Sequence, residues 1–308
     1  MANPLLSVRN LSVAFGKELN IVVTDNVQFD IFPGEIFSLV GESGCGKSVT
    51  AMSILQLLPE PGARIISGNI FFENRDLTTL TKRELLKIRG KRISCIFQEA
   101  MSALNPVMKI KKQLEEVSKD KDEILKFLIH AGLTDTNRIL NAYPHELSGG
   151  MLQRICIVMA LLSKPSLLIA DEPTTALDVT VQAEILDLLK TLSEETNTAV
   201  LLITHNMGIV SKYADRVAVM YAGRIVECGP VQEVIKNPLH PYTEGLLNAL
   251  PKKGKLLENL IPIPGNVPAP KDFVPGCRFR DRCRKAKKEC VNLPLKVGTE
   301  SHYAFCFK

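Results

Sequence analysis

Eight consecutive residues, Gly41-Glu42-Ser43-Gly44-Cys45-Gly46-Lys47-Ser48, have the types and spacing to cradle a polyphosphate. The glycines let the backbone wrap an anion with its N–H groups pointing inward. Val49 and the residues after it read as a helix, whose N-terminus adds partial positive charge. Lys47 can reach the β- and γ-phosphates of a nucleotide, and the Ser48 hydroxyl can ligate Mg²⁺. The plain alternative is a Gly-rich turn with a solvated lysine. The flanks argue against it, because the apolar run Ile36-Phe37-Ser38-Leu39-Val40 supplies the buried strand that such a loop follows.

Hydrolysis also needs acids after a buried strand, and Leu167-Leu168-Ile169-Ala170-Asp171-Glu172 supplies them. Asp171 can hold Mg²⁺, and Glu172 can polarise a water attacking the γ-phosphate. His205 follows the apolar run Ala199–Ile203 and Thr204, and Gln98 follows Ile93–Phe97. Strand C-termini of α/β sheets gather ligand contacts. His205 therefore reads as a donor to the γ-phosphate or the attacking water, and Gln98 as an Mg²⁺ ligand that senses the γ-phosphate. Taken alone, a structural histidine and a surface glutamine are the simpler readings. Ser148-Gly149-Gly150-Met151 opens an apolar helix and offers a hydroxyl and N–H groups at its start. This is either an N-cap or a second anion site. Two anion sites for one nucleotide make sense if two such domains face each other, each closing on the other's ATP.

The elements that must position these residues follow from hydropathy. Residues 5–40 alternate apolar and polar and read as short strands, with turns at Gly16-Lys17 and Pro33-Gly34. Pro59-Glu60-Pro61-Gly62 stops the helix after the loop, and Gly68–Phe72 reads as a strand. Thr81 with Glu84 makes a capping-box pattern. From Met101 to Tyr143, Leu114, Val117, Ile124, Leu125, Leu128 and Ile129 recur at helical spacing and predict a helical insertion. Val181, Ile185, Leu188, Leu189 and Leu192 share a helix face, and Arg216–Cys228 reads as a hairpin around Ala222-Gly223. Two short helices are expected near Val231–Ile235 and Thr243–Leu250. Strands alternating with helices predict an α/β fold with a parallel core sheet, an antiparallel β subdomain beside it and a helical subdomain. The expected organisation is a nucleotide-binding domain at 1–250 with its helical subdomain at about 101–163, a Pro-rich connector at 251–275 and a Cys-rich tail at 276–308.

No apolar run among the 308 residues approaches the ~18–20 needed to span a bilayer, and the first four residues carry no secretory pattern. The expectation is a cytosolic chain unless a partner tethers it. The net charge of +5 is uneven, since residues 251–308 hold 13 of the 38 Lys and Arg but 5 of the 33 Asp and Glu. A basic tail suits nucleic acid, anionic lipid or a negatively charged cluster, or is simply a solvated surface. Four of the 8 cysteines, Cys277, Cys283, Cys290 and Cys306, sit in that tail, which is too small for a core of its own and needs a staple. A reducing compartment argues against disulfides. Four thiolates are soft ligands that could hold Zn²⁺ or an iron–sulfur cluster. Neighbouring Arg278, Arg280, Arg282, Arg284, Lys285, Lys287 and Lys288 would offset an anionic cluster.

The order and spacing of Gly41–Ser48, Gln98, Leu147–Met151, Leu167–Glu172, Ala176-Leu177-Asp178 and His205 resemble the ATP-binding subunits of ATP-binding cassette (ABC) transporters, over roughly residues 5–250. The resemblance implies an ABC-type fold and ATP with Mg²⁺ as ligands. It places an adenine-stacking aromatic at Phe15 and a contact to the partner domain at Asp178. It also implies that Ser148 to Met151 touch the γ-phosphate bound by the partner's P-loop. Tyr143–Met151, Asn237-Pro238-Leu239-His240-Pro241-Tyr242-Thr243, Ile263-Pro264-Gly265-Asn266-Val267-Pro268 and the tail around Cys277 and Cys283 resemble the oligopeptide/dipeptide/nickel importers. In that branch the tail lies outside the nucleotide core, and some members carry a [4Fe–4S] cluster on it, with Zn²⁺ the alternative here. Departures are Glu99-Ala100 for the commoner Asp-Pro, Met151 for Gln, Asn206 for Asp, and a shortened Val107–Asp120 region.

The expected function is transport-coupled ATP hydrolysis driving peptide uptake, with nickel or another small solute as the alternative. The resemblance implies a second, homologous ATPase subunit, two transmembrane permease subunits and an extracytoplasmic solute-binding protein, with the chain peripheral at the cytoplasmic face of the membrane. A soluble cassette ATPase acting on nucleic acid is the rival, but its usual large insertions or second cassette are absent from this sequence, and no nucleic-acid partner is expected. A regulator without turnover conflicts with Glu172 and His205. Cys45, inside the phosphate cradle, is expected to make turnover sensitive to alkylation, with ATP protecting it.

Overall fold

The computed structural model describes residues 3–98, 103–175, 178–250 and 262–307. They form two compact units, Met1–Thr79 with Ile203–Lys308, and Leu80–Leu202. The strands in chain order are β1 (Leu6–Phe15), β2 (Ile21–Ile31), β3 (Ile36–Val40), β4 (Ala63–Phe72), β5 (Arg75–Asp76) and β6 (Ile93–Ile96). They continue with β7 (Leu167–Asp171), β8 (Ala199–Thr204), β9 (Arg216–Tyr221), β10 (Arg224–Pro230), β11 (Lys296–Gly298) and β12 (Tyr303–Phe305). The division between the units falls within β8.

In the first unit, β2-β1-β4-β5 make the expected antiparallel sheet. Alternation buries Leu6 and Val8, and register shifts near Leu11 let Leu11, Val13 and Ala14 all point to the core. β4 starts five residues before the expected Gly68. Its first half carries an exposed Ile66 and Arg64, so no period-2 signal marks it. The second sheet of this unit is mixed. Buried β3 runs parallel to β9, and β9 turns through Ala222 (φ 45°) and Gly223 (φ 83°) into antiparallel β10. Two consecutive positive-φ residues are what a tight hairpin turn requires.

The tail departs from expectation. It is not outside the core: β12 pairs antiparallel with β10, Glu227 opposite Ala304, and β11 pairs with β12. Phe279 is 3% exposed within the cluster formed by Val40, Val219, Tyr221 and Tyr242. Strands of three residues carry no periodicity, so sequence patterning could not reveal them. The short helices Val231–Lys236 and Pro241–Asn248 form close to where they were expected. In the latter, His240 Nδ1 caps the helix by accepting from Tyr242 N at 3.1 Å.

In the second unit, β6 runs parallel to fully buried β7, Ile93 opposite Leu167. Helix Lys82–Ile88 begins with the expected capping box, Glu84 N donating to Thr81 Oγ1 and Thr81 N to Glu84 Oε2. The insertion resolves into three short helices, Ile110–Val117, Lys121–His130 and Thr136–Asn141, because Asp120 and Asp135 each start a new helix by capping it. Phe127, rather than the expected Ile129, joins Ile124 and Leu128 in the core. Helix Gly149–Leu162 is buried on several faces, and helix Val179–Thr196 buries the expected stripe of Ile185, Leu188, Leu189 and Leu192. Among the described residues no helix is long and apolar enough to cross a membrane.

Candidate nucleotide site and four-cysteine cavity

The first unit carries the phosphate loop. β3 delivers the chain to Gly41, where a Cβ would sit 2.1 Å from Met220 O and 2.8 Å from Cys45 Sγ, so no side chain fits. Gly46, at φ 108°, turns the loop into helix Lys47–Ile54. Lys47 is 5% exposed and donates to Gly41 O at 2.8 Å and Glu42 O at 3.1 Å. The ammonium thus lies folded onto the carbonyls of its own loop. Ser43, Gly44 and Ser48 are exposed, and Val49 is half-buried. Phe15 ends β1, half-buried, opposite Ile21 and Ala63. His205 is exposed just beyond β8, and Asn206 caps the next helix by accepting from Gly208 N at 2.8 Å. That cap is a role Asp fills equally well, so the Asn206 departure is neutral locally.

Cys45 lies inside the loop. Its side chain is fully buried, and burial pushes its thiol pKa up, against the opposing pull of Lys47. The thiolate is the reactive form, so burial of the thiol works against alkylation of the folded loop.

The second unit carries the acids and the Ser-Gly-Gly helix start. Asp171, 5% exposed, ends β7, and its charge adds to burial in pushing the Cys95 thiol on neighbouring β6 up to about 12. Glu172 follows in a left-handed conformation, φ 47°, and accepts from Thr175 Oγ1 at 3.1 Å. A non-glycine residue there costs on the order of 1–3 kcal/mol, a strain concentrated at functional sites. Ser148 caps helix Gly149–Leu162, accepting from Met151 N at 3.4 Å. Gln153 of that helix donates to Pro173 O at 2.5 Å. Gln182 Nε2 donates to Thr174 Oγ1 at 2.7 Å, and Asp178 caps the helix bearing Gln182 through Thr180 N and Val181 N. One hydrogen-bonded set therefore joins the helix opened by Ser148 to Met151, the segment after Glu172, and the helix capped by Asp178. Gln98 is exposed beyond β6. Glu99 and Ala100, Ala176 and Leu177, and residues 251–261 of the connector lie outside the described residues.

In the first unit, Cys277, Cys283, Cys290 and Cys306 all line one cavity of about 350 Å³, with His240, Phe279, Phe307, Lys285 and Lys287. Burial, and then the neighbouring cysteines, push the Cys277 thiol up to about 11. Among the described residues no group of three or more His, Cys, Asp or Glu is placed to hold a metal ion.

Sequence reasoning missed two residues that act on the phosphate loop. Tyr242, fully buried, accepts from Glu42 N through Oη at 2.9 Å. Arg282, 8% exposed, grips the Glu42 carboxylate with both Nη atoms at 2.8 and 2.9 Å. Both lie in motifs that are visible in the sequence, but separations of 200 and 240 residues hide the contacts.

A family model for the ABC transporter matches residues 24–175, and one for the oligopeptide/dipeptide transporter C-terminal region matches residues 226–290. The chain is 47% identical to an oligopeptide transport ATP-binding protein, AppD, of Bacillus subtilis, over 96% of this chain and 94% of that one. It is 45% identical to the dipeptide transport ATP-binding protein DppD of the same organism, over 98% and 94%. Among solved structures, cbiO1 from Clostridium perfringens, part of an ABC transporter complex, superposes with a TM-score of 0.66 at 25% identity, covering 76% of this chain and 92% of that one. The ATP-binding cassette MJ0796, in a dimeric post-hydrolysis state bound to ADP and Pi, gives 0.63 at 28% identity, covering 73% and 98%. With its phosphate loop, strand-end acids, Ser-Gly-Gly helix start and matched C-terminal region, the chain belongs to the ABC transporter family as an ATP-binding protein of the oligopeptide/dipeptide branch.

Proposed function

We propose that this chain is the ATP-hydrolysing subunit of a peptide importer, working at the cytoplasmic face of the membrane with two permease subunits, a solute-binding protein and a second, homologous ATPase subunit. The observation that carries the reading is a full set of ATP motifs on a chain whose C-terminal region matches peptide transporters. Gly41 to Val49 bind the phosphates, Phe15 stacks on adenine, and Ser48, Gln98 and Asp171 serve Mg²⁺. Glu172 takes the proton from the attacking water, and His205 donates to the γ-phosphate. The left-handed backbone of Glu172 and its bond from Thr175 support that role, because strained backbone concentrates at functional sites. Ser148, Gly149, Gly150 and Met151 close the partner's site, and Asp178 meets the partner beside it.

The sequence division is kept as the proposed organisation, 1–250 for nucleotide, 251–275 as connector and 276–308 as tail, with the tail joined to the first unit through β12. The tail holds a [4Fe–4S] cluster through Cys277, Cys283, Cys290 and Cys306. The four thiols on one cavity support this, since a cluster spreads its ligands over a larger volume than a single ion. Lys285 and Lys287 on the cavity wall offset its negative charge. A bound cluster could supply one-electron chemistry, but the residues around it act as a structural staple. Anaerobic purification with iron and sulfide analysis tests this, and a colourless, iron-free, zinc-containing protein overturns it.

The transport reading is tested by reconstituting the chain with its permeases and binding protein in vesicles. Peptide-loaded binding protein is expected to stimulate hydrolysis and ATP-dependent peptide uptake. Hydrolysis that ignores peptide but responds to nickel-loaded binding protein moves the solute to nickel. Salt-sensitive stimulation by DNA moves the protein to the nucleic-acid class.

A further inference from the structure

Glu42, the second residue of the phosphate loop, is held at three points, all within the first unit. Its N–H donates to Tyr242 Oη at 2.9 Å, its carbonyl accepts from Lys47 Nζ at 3.1 Å, and its carboxylate takes the Arg282 fork. The Arg282 guanidinium is itself fully seated. Nε donates to Pro264 O at 2.7 Å, Nη2 to Gly265 O at 3.0 Å, and Nη1 reaches Tyr221 Oη at 3.4 Å. A planar fork with carboxylate on one side and carbonyls on the other is geometry that Lys cannot reproduce.

Three stretches that mark this branch thus converge on one loop residue. Asn237–Thr243 supplies Tyr242, Ile263–Pro268 supplies the carbonyls under Arg282, and the Cys-rich tail supplies Arg282. The tail's end of the contact sits in a hydrogen-bonded turn. Arg282 N donates to Phe279 O at 3.0 Å and Cys283 N to Arg280 O at 3.2 Å, and the next residue, Cys283, lines the four-cysteine cavity. Phe279, on the same cavity wall, packs on Tyr221 and Tyr242 with ring centroids 5.1 and 5.3 Å away.

We propose that Arg282 is a positioning residue for the ATP site: the Cys-rich tail, through Arg282 and Glu42, holds the phosphate loop in its nucleotide-binding form. The tail then acts on ATP affinity in cis without touching the nucleotide. Anything that loosens the four-cysteine cavity weakens ATP binding by releasing this fork. The proposal rests on the reading of Gly41 to Val49 as the ATP site.

The test is equilibrium binding of a fluorescent ATP analogue, with steady-state kinetics, on Arg282→Ala, Arg282→Lys, Glu42→Gln and the Arg282→Ala/Glu42→Gln double variant. Each single variant is expected to weaken binding at least tenfold in Kd, with Arg282→Lys intermediate. The double variant is expected to bind no worse than the weaker single, because both delete one contact. KM for ATP rises while kcat stays within about threefold, the pattern of lost uniform binding. A merely structural lesion would instead lower kcat through the active fraction and leave KM alone. If Arg282→Ala does not fold, Arg282→Lys, which keeps the charge but not the planar fork, carries the test, because Glu42 itself lies in the phosphate loop. Wild-type affinity in Glu42→Gln or in a folded Arg282→Ala overturns the proposal, as do additive losses in the double variant. A wild-type protein that binds no ATP overturns instead the reading of the site. Iron content measured on the same samples separates the fate of the cluster from that of the fork.

Discussion

Tyr242→Phe removes the hydroxyl that holds Glu42 of the phosphate loop through its backbone N–H and its side chain. The ring is fully buried and packs edge-on against Tyr221, with centroids 4.7 Å apart, and obliquely against Phe279. Phenylalanine keeps that ring and its contacts, so little transfer or cavity energy is lost. What disappears is the oxygen that accepts from Glu42 N at 2.9 Å. Burial pushes the phenol pKa far up, with the Glu42 charge adding to it, so the hydroxyl is neutral at any working pH and no charge effect enters. Leaving this part-buried N–H without its acceptor costs up to about 1–3 kcal/mol, the range for a buried donor. At about 2–4 °C per kcal/mol for a domain of this size, the melting temperature falls by about 2–12 °C. If the bond is stronger in the ATP-bound loop than in the free one, part of the loss appears as weaker ATP binding, up to about 100-fold at 1.4 kcal/mol per decade. The assay is a thermal melt with and without ATP and Mg²⁺, beside a titration with a fluorescent ATP analogue. A variant that melts within a degree of wild type and binds ATP equally well refutes the reasoning.

Glu172→Gln is expected to slow hydrolysis by about 10²–10⁴-fold while retaining ATP. An ATP-bound dimer should then persist on size exclusion, and undiminished turnover removes Glu172 from its role. Gly41→Ala forces a methyl within 2.1 Å of Met220 O, so nucleotide binding is expected to vanish; a variant that binds ATP normally shows that the β3 exit can shift. Cys45 in the native protein is expected to resist iodoacetamide, reacting at the rate of local opening and fully after denaturation. Fast labelling of Cys45 in the folded protein at neutral pH contradicts its burial.

The chemistry of the nucleotide site was legible because its motifs are local. A phosphate loop needs eight contiguous residues between a buried strand and a helix, and Ile36–Val40 and Lys47–Ile54 are that strand and helix. Ser148 read as a helix start for the same reason, since a cap and the N–H groups it satisfies lie within three residues, whereas the cap that Asp178 provides emerged only in the structure. Some of what was missed was local but ambiguous, and the rest was long-range. Ile66 and Arg64 gave β4 no alternation, Asp120 and Asp135 cut one periodic stretch into separate helices, and β11 and β12 are too short to show a period.

The sequence by itself determined an α/β fold class and a phosphate loop, because period-2 and period-3.6 patterning and a contiguous loop between strand and helix follow from backbone geometry; the branch came from the resemblance of its motifs. Only the tertiary structure decided that the tail joins the core through Phe279 and β12, that Cys45 is sealed, and that four cysteines spread over 30 residues share one cavity. It also decided that Arg282 reaches back 240 residues to Glu42. The physical reason is that each of these is a long-range packing outcome. Each depends on how aromatic rings and strand edges from distant segments fit together, which no window of neighbouring residues encodes.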